Sequence, residues 1–226
     1  MGTVSKAMSK GLRPGLYAVT DTTLTPPDTL LASVEAALRG GAVLIQYREK
    51  QAPEAERLRQ ARDLQALCRN AGVPLLINDD ADLARRCGAA GVHLGQGDMA
   101  ATRARSILGE QAIIGVTCHS ELELAANACV AGADYLAFGR FFPSGTKPDA
   151  SAARASVLTK AKAFGRPVSA IGGITIDNGT PLIQAGADLL AVIGGLFGGS
   201  IDDIEQRAKE FSRLFEQHHP LFSLPR

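Results

Sequence analysis

Eight short apolar runs alternate along the chain with amphipathic, glycine-ended segments, and this pattern predicts an α/β fold, a single (β/α)8 TIM barrel. Three observations carry that expectation: the number of runs, their strict alternation with helical segments, and a length of 226 residues with 46% hydrophobic content, which suits one core better than two. The runs are LYAVT (16–20), AVLIQYR (42–48), PLLIN (74–78), GVHLGQ (91–96), AIIGVTC (112–118), YLAFG (135–139), PVSAIGG (167–173) and LLAVIGG (189–195). Continuous apolar stretches of this kind are what strands buried on both faces look like. Segments such as TLLASVEAALRG, EAERLRQARDLQALCRNAG and ADLARRCGAAG repeat apolar residues at three and four and end in glycine, so they read as helices.

Strand and helix in alternation imply parallel strands joined by right-handed crossovers. Eight such units in about 200 residues match the small end of the barrel range. An open doubly wound sheet would normally have fewer strands and a glycine-rich turn after the first. Here that strand ends Val19-Thr20-Asp21 with no GxGxxG. The barrel is expected over residues 15–218, with residues 1–14 an N-terminal extension and 219–226 a C-terminal tail. The sequences Ala-Gly-Val at 71 and Ala-Gly-Ala-Asp at 131 and 185 read as repeated helix C-caps rather than as a functional repeat.

Charge excludes several function classes. The 24 basic and 23 acidic residues leave a net charge of +1, so no global field draws the chain to nucleic acid or to an anionic membrane. The longest uncharged stretch, Leu189 to Ile201, is short of the roughly 20 apolar residues a membrane span needs. Lys6, Lys10 and Arg13 are followed by no apolar stretch, so a secretory signal is not expected and a cytoplasmic location is. Cys68, Cys87, Cys118 and Cys129 form no CxxC pair and read as buried thiols. Cys118 and His119 are adjacent and point to opposite faces of a strand, so they do not form a zinc site.

Barrel chemistry sits where strands end, so the polar residues that stop each run are the candidates. The second run ends Gln46-Tyr47-Arg48-Glu49-Lys50, and the two-residue period puts Gln46, Arg48 and Lys50 on one face with Tyr47 and Glu49 opposite. Two cations and an amide there suit either ion pairs with helix carboxylates or a cradle for a diphosphate. The third run ends Asn78-Asp79-Asp80, and the fourth continues to Asp98. Strand spacing of about 4.8 Å lets Asp79 and Asp98 share the mouth as hard oxygen ligands, a set that suits Mg²⁺. Asp80 and Asp82 read instead as helix caps. His93, inside an apolar run, reads as a hydrogen-bonded core residue. The stretch Pro143-Ser144-Gly145-Thr146-Lys147 reads as a substrate loop. Gly172-Gly173 and Gly194-Gly195 offer backbone N–H groups to a monophosphate.

In order, LYAVTD, QYREK, NDD, HLGQGD, PSGTK and IGGI resemble the thiamine-phosphate synthase family over about residues 15–215. The resemblance implies that a pyrimidine diphosphate is joined to a thiazole phosphate with release of pyrophosphate, using Mg²⁺. It implies further that Gln46, Tyr47, Arg48, Glu49, Lys50, Asn78, Thr117 and Lys147 hold the pyrimidine diphosphate, with Arg48, Lys50 and Lys147 catalytic. Asp79 and Asp98 would hold Mg²⁺, and Ser144, Gly145, Thr146, Gly172, Gly173, Ile193 and Gly194 the thiazole phosphate. The implied partners are these small molecules, with neither nucleic acid nor membrane, and a monomer or homodimer.

Three positions depart from the family pattern. Thr117 stands where the family has a Ser, Gly194 where many members have Ser, and Tyr47 where Leu is common, pointing away from the cradle. The implied mechanism is dissociative and needs no protein nucleophile. The rival readings are a thiazole tautomerase, with His119 as its acid-base candidate, and a non-catalytic barrel that binds thiamine phosphate.

Overall fold

In the computed structural model the described residues are 8, 10–143 and 153–222. All eight apolar runs form strands: β1 Gly15–Val19, β2 Leu44–Tyr47, β3 Leu75–Asn78, β4 Gly91–Leu94, β5 Ile113–Thr117, β6 Tyr135–Phe138, β7 Val168–Ile171 and β8 Leu189–Val192. They pair in parallel and in chain order, and β8 returns to β1 to close the barrel. The helices between them are α1 Leu30–Arg39, α2 Glu54–Asn70, α3 Ala81–Cys87, α4 Ala101–Leu108, α5 Leu122–Val130, α6 Ser156–Ala161, α7 Ile176–Gln184 and α8 Ile201–His218. No helix among the described residues is long and apolar enough to cross a membrane.

Register decides which side chains fill the barrel. Tyr17 lies level with Leu44, Gln46 with Leu76, Asn78 with His93, Thr117 with Ala137 and Ile171 with Ala191. Tyr17, Leu44, Leu76, Ile113, Tyr135 and Leu189 form an inner apolar cluster, separate from the larger one between strands and helices. Each buried Leu or Ile there contributes roughly 2 kcal/mol. Leu12, in the segment expected to lie outside the barrel, is buried in this inner cluster, so the extension plugs the N-terminal end from residue 12 onward. Likewise His219, the first residue of the expected tail, is buried against the barrel.

The Ala-Gly-Val and Ala-Gly-Ala-Asp sequences do end helices: Gly72, Gly132 and Gly186 take positive φ just after the C-caps of α2, α5 and α7. Their aspartates do more. The Asp134 carboxylate accepts from the Ile114 N–H and pairs with Arg105 at 2.6 Å and Lys10 at 2.8 Å. The Asp188 carboxylate accepts from the Val168 N–H and pairs with Lys162 at 2.8 Å and His219 at 3.2 Å. Each aspartate therefore ties its own strand to the preceding one at the N-terminal face. Burial drives the Asp188 carboxyl up, but His219 and Lys162 more than offset it and hold the group below the usual carboxylate range.

The cysteines are free, three buried and Cys129 half-buried, and burial pushes Cys68 and Cys118 up to about 12. Cys118 faces the protein interior while His119 is exposed, as adjacent positions at a strand end require.

Candidate active site

The C-terminal ends of β2, β3, β4 and β5 bring one polar group together. Gln46 is an inward position of β2, buried, and its amide donates to the Tyr17 hydroxyl. One residue past the strand, Arg48 fixes its backbone by donating to Thr20 Oγ1 at 2.9 Å and turns its guanidinium to Asp21 at 3.3 Å. Lys50, more exposed, reaches Asp79 at 3.2 Å. The alternation expected for this segment holds at its start and costs it two side chains. The Tyr47 hydroxyl donates to Gln60 of α2 at 2.6 Å, on the helix side of the strand. Glu49 accepts from the N–H groups of Gln51 and Ala52 to form the loop into α2. Neither Tyr47 nor Glu49 directs its side chain to the mouth, as the two-residue period of the segment implied.

At the end of β3 the chain turns sharply. Asp79 has φ +64°, a left-handed conformation that Asp tolerates better than most residues, and its N–H donates to the His93 carbonyl at 2.8 Å. The turn leaves the Asp79 carboxylate between the Asn78 amide at 2.5 Å and Lys50. Asp80 behaves as the cap the sequence implies, accepting from the Leu83 N–H at 2.8 Å at the start of α3. Asp98 caps no helix: it folds back within its loop and accepts from the Gly95 N–H at 2.8 Å, while α4 has Ala100 at its N-cap and no side-chain cap. The two carboxyls, Asp79 and Asp98, are neighbours. Burial first, and then the Asp98 carboxylate beside it, raise the Asp79 carboxyl above its ordinary value, with Lys50 opposing. Two acceptor-only groups facing each other, with lone pairs to spare, make a donor set that fits a hard divalent cation. Among the described residues no cluster of three or more His, Cys, Asp or Glu ligands exists, so such an ion would draw its remaining oxygens from water and substrate.

The barrel floor beneath these groups is His93 and Thr117. His93 is buried, with Nδ1 2.7 Å from the Tyr135 hydroxyl and Nε2 2.9 Å from Thr117 Oγ1. Burial lowers its pKa to about 4, so it is neutral near pH 7 and belongs to the core, as its apolar run implied. The Gln96 side chain of the HLGQGD loop donates to the Thr117 carbonyl, which binds the β4 and β5 ends together.

Glycines shape the opposite side of the mouth. Gly173 has φ +63°, and a Cβ there would lie 2.4 Å from the Pro143 carbonyl, so the loop that continues to Ser144 crosses directly over it. That loop is anchored by Phe142 N–H to Gly172 O at 3.0 Å and rejoins through Ala153 N–H to Arg140 O at 2.7 Å. Ser144, Gly145, Thr146 and Lys147 lie outside the described residues. A Cβ on Gly195 would come within 2.2 Å of the Ile174 carbonyl, whereas one on Gly194 would meet only Leu24 at 3.8 Å. Gly195 is thus sterically required and Gly194 is not. Among the described residues, none of the hydrogen bonds found outside the helices and strands uses the N–H of Gly172, Gly173, Gly194 or Gly195. A cavity of about 540 Å³ opens beside Gly194 and Gly195, bordered by Thr175, Asp177, Gly198 and Arg207. The Arg207 guanidinium is committed to the Leu196 and Gly198 carbonyls and shapes the β8–α8 loop.

Sequence reasoning missed Tyr17, Tyr135, Asp21 and Gln96 as members of this mouth. Asp21 stood in the motif LYAVTD, but its pairing with Arg48 depends on β1 and β2 being neighbours.

Sequence comparison with known proteins points to one family. A family model described as thiamine monophosphate synthase matches residues 16–196. A thiamine-phosphate synthase of Marinobacter nauticus is 63% identical over 224 residues, covering 99% of both chains. A solved thiamine phosphate pyrophosphorylase from Pyrococcus furiosus is 36% identical, covers 90% of this chain and 96% of that one, and superposes with a TM-score of 0.81. A further one from Bacteroides thetaiotaomicron, at 19% identity and a TM-score of 0.64, shares the fold.

Proposed function

The chain belongs to the thiamine monophosphate synthase family, and we propose which of its residues carry that family's reaction. Its activity is that of a thiamine-phosphate synthase, a transferase of thiamine biosynthesis. It condenses 4-amino-2-methyl-5-(diphosphooxymethyl)pyrimidine with a hydroxyethylthiazole phosphate, carboxylated or not, to give thiamine monophosphate and pyrophosphate. The observation that carries the residue assignment is the meeting of Lys50, Asp79 and Asp98 at one corner of the mouth, with Arg48 paired to Asp21 at the ends of β1 and β2.

In this reading Arg48 and Lys50 exchange their carboxylate partners for the diphosphate oxygens, and Lys147 of the β6–α6 loop joins them. Gln46, Asn78 and Thr117 orient the pyrimidine ring. Asp79 and Asp98 would hold Mg²⁺, which when bound supplies positive charge to the departing diphosphate. The C–O bond to diphosphate breaks first, and the electron-rich aminopyrimidine carries the resulting cation until the thiazole nitrogen adds to it. No protein nucleophile is needed; positioning and electrostatics supply the rate. Ser144, Gly145, Thr146, Gly172, Gly173, Ile193 and Gly194 hold the thiazole phosphate, where glycine N–H groups make up for the absence of a serine at 194. The small-molecule substrates and the near-zero net charge support a cytoplasmic enzyme with no nucleic-acid or membrane partner, working as a monomer or homodimer.

The test is incubation of the purified chain with both substrates and Mg²⁺. Stoichiometric release of pyrophosphate and thiamine phosphate is expected. Thiamine phosphate binding without turnover would instead reject the assignment of these residues to catalysis.

A further inference from the structure

A continuous hydrogen-bond chain crosses the inside of the barrel, and its two ends are Gln46 and Thr117, the residues assigned above to the pyrimidine ring. It runs from the Gln46 amide to the Tyr17 hydroxyl, from there to the Tyr135 hydroxyl at 2.9 Å, to His93 Nδ1 at 2.7 Å, and from Nε2 to Thr117 Oγ1 at 2.9 Å. Its middle members are buried and held by packing. Tyr135 stacks on the His93 ring at 5.6 Å and meets Tyr17 edge-on at 6.0 Å. The space Tyr135 occupies exists because residue 115 is glycine, where a Cβ would fall 2.0 Å from the phenol ring.

With the Gln46 amide nitrogen turned to Tyr17, proton counting gives this chain one direction. Tyr17 Oη accepts from the Gln46 Nε2 group. The Tyr17 proton then has one partner, the Tyr135 oxygen, and the Tyr135 proton has one partner, His93 Nδ1. An accepting Nδ1 puts the imidazole proton on Nε2, which donates to Thr117. The tyrosine and imidazole protons are each used once, and the groups left over lie at the ends. Gln46 Oε1 has no partner and is not sealed from solvent, the second proton of Gln46 Nε2 is not used in the chain, and the Thr117 hydroxyl proton is free. The opposite polarity also closes, but only if the Gln46 amide flips and all four bonds reverse together. No single residue can change its role alone.

We propose that Tyr17, Tyr135 and His93 are positioning residues that fix the Gln46 amide with its Oε1 open as an acceptor and hold Thr117 as a donor, so that the mouth selects a 4-aminopyrimidine over its 4-oxo analogue. This rests on the reading that the pyrimidine diphosphate binds over Gln46 and Thr117. An amino group gives Gln46 Oε1 a proton, and an unprotonated ring nitrogen gives Thr117 an acceptor. The 4-oxo ring inverts both groups, and its binding either sets lone pairs against each other or reverses the whole chain. A site built to receive a specific N–H rejects an analogue without it by large factors.

Two measurements decide this. In the intact protein, ¹⁵N NMR of labelled histidine is expected to show His93 neutral with the proton on Nε2; a proton on Nδ1 would overturn the polarity whatever the enzyme turns over. The second compares the kcat/KM ratio for the 4-amino and 4-oxo pyrimidine diphosphates. A ratio on the order of a hundredfold or more is expected for the wild-type chain, falling about tenfold in Tyr135→Phe and in Tyr17→Phe, with KM for the thiazole phosphate unchanged. An unchanged ratio in a folded variant would overturn the role of the chain. Failure of the wild-type chain to release pyrophosphate would reject the catalytic reading, and the NMR result would then decide the polarity by itself.

Discussion

The two ends of this barrel use the same residue type in opposite ways. At the N-terminal face, Asp134 and Asp188 each receive a strand N–H and two basic side chains, and their side chains are 9% and 6% exposed. At the C-terminal face, the Asp79 side chain is 28% exposed, shares one lysine, and faces a second carboxylate. The first pair is consumed by the fold, and its partners hold Asp188 in the charged form. The second pair costs the fold something and keeps its lone pairs available. Barrels separate stability and chemistry in this direction, and here the separation can be read from what each carboxylate touches.

The largest way to break this contrast is Asp188→Ala. It removes the carboxylate that the buried His219 contacts at 3.2 Å and leaves the Val168 N–H without its acceptor, while Lys162, nearly half exposed, turns to water. A loss of about 3 kcal/mol in urea unfolding is expected, with turnover per folded molecule unchanged. A comparable loss of turnover would show that the two faces are not separate.

Acid should act on the same clamp. The folded Asp188 carboxyl sits below its ordinary value, so its stabilisation is present above the unfolded pKa of about 3.9 and is lost as pH falls further, through the folded value. Unfolding free energies measured at pH 5 and pH 3 should drop more steeply for the wild-type chain than for Asp188→Asn. Equal slopes would remove Asp188 from the account.

The smallest effect runs the other way. Asp79→Asn, in metal-free protein, relieves the carboxylate pair and should raise stability by about 0.5 kcal/mol while lowering activity. A lower melting temperature would mean that Asp79 serves the fold as Asp188 does.

How much of this was legible depended on the range of the interaction. The strands were visible because doubly buried runs are apolar throughout, and Asp80 was readable as a cap because its partner, the Leu83 N–H, is three residues away. The mouth cluster was readable in part, since strand ends in a barrel converge whatever their contacts. The Tyr17–Tyr135 contact was not, because 118 residues separate the partners and only ring closure brings them together. The Ala-Gly-Ala-Asp repeats were half legible. Their glycines act locally, but the aspartates reach the first residues of the preceding strand, 20 positions back. Tyr47 and Glu49 show the limit of the alternation rule: it put Tyr47 on the correct side of β2, but the strand ends at Tyr47, and past it Glu49 follows the loop.

The central claim is that the mouth carboxylates are free for a metal rather than spent on structure, and Asp98 tests it best because it caps no helix. The measurement is a Mg²⁺ titration of pyrophosphate release by the wild-type chain and by Asp98→Ala, alongside thermal unfolding. A drop in turnover on the order of a hundredfold at fixed Mg²⁺, partly recovered as Mg²⁺ is raised, with unfolding shifted by less than about 0.5 kcal/mol, is the expected result. Unchanged kinetics and Mg²⁺ dependence in a folded Asp98→Ala would contradict it.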